Sequence, residues 1–94
     1  MFRKIFESKE IKQQKARVES MPDDPAARFN LGAAYEKSGR YEDAIREFEK
    51  TLKGNPKSAE AHYNLALLYE NMNEGKKATL HILKAGNLFS NKND

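Results

Sequence analysis

The sequence contains no cysteine, which excludes disulfide staples and thiolate metal sites and suits a reducing compartment. Long apolar runs are missing as well. The start, Met1-Phe2-Arg3-Lys4-Ile5-Phe6-Glu7, is charged, and no uninterrupted apolar stretch follows it. A secretory signal needs such a stretch, and a membrane-spanning helix needs about 20 apolar residues. The expectation is a cytoplasmic protein without a stable membrane anchor. Charge of one sign is scarce too: the net charge is only +3. All of the excess sits on residues 1–22, with six Lys/Arg against three Asp/Glu, and the rest of the chain balances. Nucleic-acid-binding faces are more densely basic and often interleaved with aromatic platforms. Here the signs alternate as on solvated helix surfaces, so no nucleic-acid partner is expected.

What the 94 residues do contain is a repeat. A shift of 34 residues, without gaps, pairs Pro22 with Pro56, Ala27 with Ala61, Asn30 with Asn64 and Leu31 with Leu65. It also pairs Tyr35 with Tyr69, Glu36 with Glu70, Ala44 with Ala78 and Lys50 with Lys84, and conservatively Phe29 with Tyr63, Gly32 with Ala66 and Phe48 with Ile82. A period of this length signals stacked supersecondary units.

Punctuation defines each unit. Asp24-Pro25 reads as an N-cap followed by proline at the first helical position. Gly39 ends that helix by accepting a left-handed backbone, and Asn73 stands in its place one repeat later, asparagine being the next-best residue there. Ala44, Ile45, Phe48 and Leu52 share one face of a second helix, which Gly54-Asn55-Pro56 closes; Ser58 caps a third. The pattern predicts an all-α solenoid of antiparallel helix pairs, with helices near 3–20, 25–38, 41–54, 59–72 and 75–89. The organisation is a capping helix in residues 1–22, one unit in 23–56, a second in 57–90 and a polar tail in 91–94. Small residues Gly32, Ala44, Ala66 and Ala78 let paired helices approach. Leu31, Tyr35, Phe48, Leu65, Tyr69 and Ile82 are the expected filling.

The run Asn30-Leu31-Gly32-x-Ala34-Tyr35-x-x-x-Gly39-x-Tyr41-x-x-Ala44-Ile45-x-x-Phe48, with Leu52 and Pro56, resembles the tetratricopeptide-repeat (TPR) consensus almost position by position. Residues 57–90 resemble it more loosely, through Asn64, Leu65, Ala66, Tyr69, Ala78, Ile82 and Ala85. Arg28 and His62 stand where the family favours a bulky side chain. The resemblance implies a non-catalytic protein-interaction module, a scaffold or adaptor, whose first helices line a concave groove for a peptide or protein segment. Its implied lining is Phe29, Asn30, Ala33 and Lys37 from one unit and Tyr63, Asn64, Leu67 and Glu70 from the next, with Ala26, Glu36, Glu60 and Asn71 beside them. Glutamates in such a groove favour a ligand with positive charge. Phe29 and Ala33 depart from the family's carboxylate-clamp pattern, so chaperone-tail binding is not expected.

The two ends differ. Residues 1–21 hold no glycine or proline and read as one helix, covering the first unit with Ile11 and Val18, helped by Ala16 and Met21. Phe2, Ile5 and Phe6 form a short apolar cluster among Arg3, Lys4 and Lys9. At the other end, Leu80 and Leu83 replace Arg46 and Glu49, and Leu88 and Phe89 replace Gly54 and Asn55. A terminal solenoid helix normally has a polar outer face; these four residues instead suggest self-association into a weak homodimer. Chemistry is not foreshadowed. His62 and His81 lack the companions of a zinc site, the glycines form no phosphate loop, and no serine has a relay. Neither a cofactor nor a metal is expected.

Overall fold

The computed structural model describes residues 7–92 and, among them, five helices and no strand. These are α1 Lys9–Ser20, α2 Pro25–Lys37, α3 Tyr41–Gly54, α4 Ala59–Asn71 and α5 Gly75–Lys92. Each packs chiefly on its neighbours in sequence, giving two antiparallel hairpins, α2–α3 and α4–α5, with α1 laid on the first.

The caps are those the sequence names. Asp24 Oδ1 accepts the Ala26 N–H at 3.0 Å, and Ser58 Oγ accepts the Ala61 N–H at 3.2 Å. Gly39 has φ 77° and Asn73 φ 59°, so one turn is used twice. In both copies the residue after it donates its N–H to the carbonyl five residues back: Arg40 to Tyr35 at 2.9 Å, Glu74 to Tyr69 at 2.8 Å. Glu42 and Asp43 occupy the first turn of α3, where negative charge suits the helix dipole.

One core runs through the stack: Ile11 and Val18 of α1, Leu31, Ala34 and Tyr35 of α2, Ala44 and Phe48 of α3, Leu65, Leu68 and Tyr69 of α4, and Ala78 of α5. Gly32 shows why the small positions matter, since a Cβ there would lie 2.9 Å from Phe48 Cε1.

Four features differ from the sequence reading. α1 starts at Lys9, because Ser8 caps it: its Oγ accepts the Ile11 N–H at 3.1 Å. Glu7 then accepts from Lys15 Nζ at 2.7 Å and Arg40 Nη1 at 3.1 Å, bonds that hold its carboxyl below the ordinary range. The Phe2, Ile5 and Phe6 cluster lies outside the described residues. Ala16 and Met21 are exposed, leaving Ile11 and Val18 to do the covering. α5 continues to Lys92 through the stretch read as the start of a polar tail, since no proline or left-handed residue stops it. Finally, Ile82 is 41% exposed whereas its repeat partner Phe48 is fully buried. The helix α3 has α4 packed beyond it, and no described element packs beyond α5.

Candidate functional site

The first helix of each unit, α2 and α4, presents the implied groove. Between their N-terminal ends lies an open cleft of about 410 Å³, lined by Asp24, Pro25, Ala26, Phe29, Asn30, Thr51, Asn55, Ser58 and Glu60. Of the eight residues implied for the groove, this cleft gathers Phe29 and Asn30. Tyr63, Leu67 and Glu70 are exposed further along α4, and Ala33 and Asn64 are half-buried. Phe29 turns partly inward, its ring 5.2 Å from that of Phe48. Lys37 reaches back to α1, with Nζ 3.4 Å from Glu10 Oε1.

That leaves the lining acidic. The only Lys/Arg on α2 are Arg28 and Lys37, and α4 has none. Arg28 Nη1 is held 3.1 Å from Glu47 Oε1, and Lys37 by Glu10. Glu36, Glu60 and Glu70 stand on the same two helices. Burial pushes the Glu36 carboxyl above its ordinary range, so a cation brought beside it would be stabilised.

Within the second hairpin, beside Glu49 of α3, the structure brings together two residues that the sequence reading kept apart. His62 Nδ1 and His81 Nδ1 are 2.8 Å apart, and both rings are buried. His62 Nε2 faces the Pro56 carbonyl at 3.2 Å, an acceptor, so that nitrogen carries a proton and donates. In the neutral pair His62 Nδ1 therefore accepts from the His81 Nδ1–H. The remaining lone pair, on His81 Nε2, lies 3.9 Å from Glu49 Oε2. Tyr69 stacks on His81 and donates its hydroxyl to Glu49 at 2.7 Å; burial, then this bond, pushes the phenol up. Burial also pushes the His81 imidazole down, Glu49 only partly opposing it. The signal was available: the 34-residue shift that pairs Arg28 with His62 also pairs Glu47 with His81. An ion pair in one unit is an imidazole pair in the next.

Beside this pair opens a second cleft, of about 490 Å³, lined by Glu49, Leu52, Pro56, His62, His81, Lys84, Asn87 and Leu88. Leu88 is thus turned into the joint between hairpins, seven residues after His81 on the same side of α5. It does not share the outer face of Leu83, as the self-association reading assumed. Leu80, Leu83 and Phe89 are exposed. Among the described residues no three His, Asp or Glu side chains are placed to hold a metal ion, and no helix is long and apolar enough to cross a membrane.

Two family models match the chain. One, described as Tetratricopeptide repeat, matches residues 6–53, and a second, TPR repeat, matches residues 37–73. The chain belongs to the TPR family. The first match takes in α1, so the repeat likeness reaches further towards the N-terminus than the resemblance seen from residue 25 onward.

Similar proteins agree with the TPR assignment. A TPR repeat-containing thioredoxin TTL4 of Arabidopsis thaliana is 38% identical over 65 residues, 69% of this chain and 10% of that protein. Intraflagellar transport protein 70A of Xenopus tropicalis is 32% identical over 78 residues, 82% of this chain and 12% of that protein. Among solved structures, MamA AMB-1 superposes with a TM-score of 0.79 at 30% identity, covering 85% of this chain and 44% of that one. MamA 41-end from Desulfovibrio magneticus RS-1 gives 0.83 at 24% identity over 89% and 48%, a likeness of fold alone. The chain spans about a tenth of these curated relatives and under half of these solved neighbours.

Proposed function

We propose that the concave side of α2 and α4 binds a protein segment carrying positive charge, so that the chain acts as a scaffold or adaptor. Membership of the TPR family supports the coarser statement, a protein-interaction module. One observation carries the finer reading: α4 carries Glu60 and Glu70 and neither lysine nor arginine, and on α2 Arg28 is held by Glu47. Tyr63 and Leu67 offer apolar contact, Asn30 and Asn64 offer amide groups for a peptide backbone, and a ligand lysine or arginine would offset the desolvation of Glu36.

The test is an NMR titration of the isotope-labelled chain with a panel of synthetic peptides that vary in charge and apolar content. Basic peptides are expected to shift Phe29, Asn30, Ala33, Tyr63, Asn64, Leu67 and Glu70 more than acidic peptides do. Ala33→Arg should weaken the best binder at least tenfold, or about 1.4 kcal/mol. Shifts confined to α3 and α5, or an Ala33→Arg protein that folds and binds unchanged, would overturn the reading.

A further inference from the structure

Ile82 and Leu83 form an apolar face on α5, and the residue that holds the place of Ile82 in the first unit is buried. Phe48 and Glu49 occupy the places of Ile82 and Leu83. Phe48 is completely buried, with Gly32 and Phe29 of α2 against it, and Tyr69 of α4 donates its hydroxyl to Glu49. Ile82 is 41% exposed and Leu83 62%. The residues between them on that side, Thr79, Gly86 and Ser90, are small and uncharged, so another helix can come close. Leu80 extends the face past Leu83.

We propose that this face is the interface of a two-fold dimer, in which α5 of one copy lies over the exposed edge of α4 of the other. Charge selects the arrangement. The 18 residues of α5 include lysines and no carboxylate, whereas α4 includes Glu60 and Glu70 and neither lysine nor arginine. Two α5 helices laid on each other would leave their lysines without a carboxylate partner on the opposing helix. Crossing α5 onto the partner's α4 turns Lys76 towards a glutamate edge and sets Ile82 and Leu83 against an edge that exposes Tyr63 and Leu67. A two-fold axis repeats every such contact, which is how most closed pairs form. Among the described residues a head-to-tail stack meets a polar surface on α1, where Lys9, Lys12, Gln13 and Glu19 are exposed. The dimer needs no ligand and does not depend on the groove reading, although Tyr63 and Leu67 are shared and the two occupants would compete.

Sedimentation equilibrium of the full chain over a wide concentration range tests it. The average mass is expected to rise from 10.8 kDa towards twice that value and no further. Leu83→Glu, which installs the residue the first unit carries at that place, should abolish the rise and leave the helical circular dichroism signal intact. Lys76→Glu and Glu70→Lys should each weaken association about tenfold, and the double variant should recover it. A single-chain mass at every concentration, growth beyond two chains, association that survives Leu83→Glu, or a double variant no better than the singles overturns the proposal.

Discussion

The two hairpins are one design executed with different chemistry, and the differences sort by what each faces. Where both units face inward, the repeat is kept: Leu31 and Leu65, Ala44 and Ala78, Tyr35 and Tyr69 are all buried. At the bridge between the paired helices the polarity is kept and the groups change, Arg28–Glu47 in one unit and His62–His81 in the other. Where Phe48 and Ile82 stand, even the environment changes, Phe48 being buried and Ile82 open. A repeat constrains a residue only as far as its neighbours repeat.

The sharpest way to break this comparison is to truncate both members of the covered–open pair. Phe48→Ala should cost about 3–5 kcal/mol, because it empties a fully buried site against Gly32 and Phe29. Ile82→Ala should cost under about 1.5 kcal/mol, because much of its surface is already in water. Urea melts of the two variants, at concentrations that keep the chain monomeric, measure the difference. Equal losses would mean that α5 is as well covered as α3.

The bridge comes next. Glu47→Ala strands a half-buried guanidinium and should cost about 1–3 kcal/mol at neutral pH. The imidazole bridge should respond to acid instead. His81 is held below its ordinary pKa of 6.5, so just under that value the unfolded chain binds more protons than the folded one. Stability must then fall as the pH drops through about 6.5 and level off below the depressed folded value. Thermal melts between pH 7.5 and 5.5, above the range where most carboxylates titrate, should show this fall, and His81→Gln should flatten it. Moving the pair into the first unit, with Arg28→His and Glu47→His together, should steepen it. An acid response unchanged in both variants would remove the imidazoles from the account.

Much of the fold was legible because its signals are local. Asp24, Ser58, Gly39 and Asn73 act within a few residues of themselves, and every one stands where the sequence reading put it. The misses are cases where something distant, or a single hydroxyl, decides. Ser8 overrode a run of good helix formers at the start of α1, and Ile82 needed a following unit to be core. Lys37 was claimed by Glu10, and Leu88 by the joint between hairpins. The His62–His81 contact was written in the same 34-residue shift that revealed the repeat, but reading it required asking what both partners of Arg28–Glu47 become, rather than one.

Because every helix packs chiefly on those next to it in the chain, few contacts here close long loops. Such a topology folds quickly and also comes apart in pieces. α5 is held mainly by α4, and what binds that hairpin to the first is largely the α3–α4 contact, Tyr69 on Glu49 and the imidazoles beside them. In hydrogen exchange the amides of α5 should therefore open well before those of α2 and α3, as a cooperative unit of lower stability. Acid, by charging the joint, should widen that gap without greatly disturbing the first hairpin, so that proton concentration sets how much of the molecule is a two-unit stack and how much is a single hairpin with a loosened end.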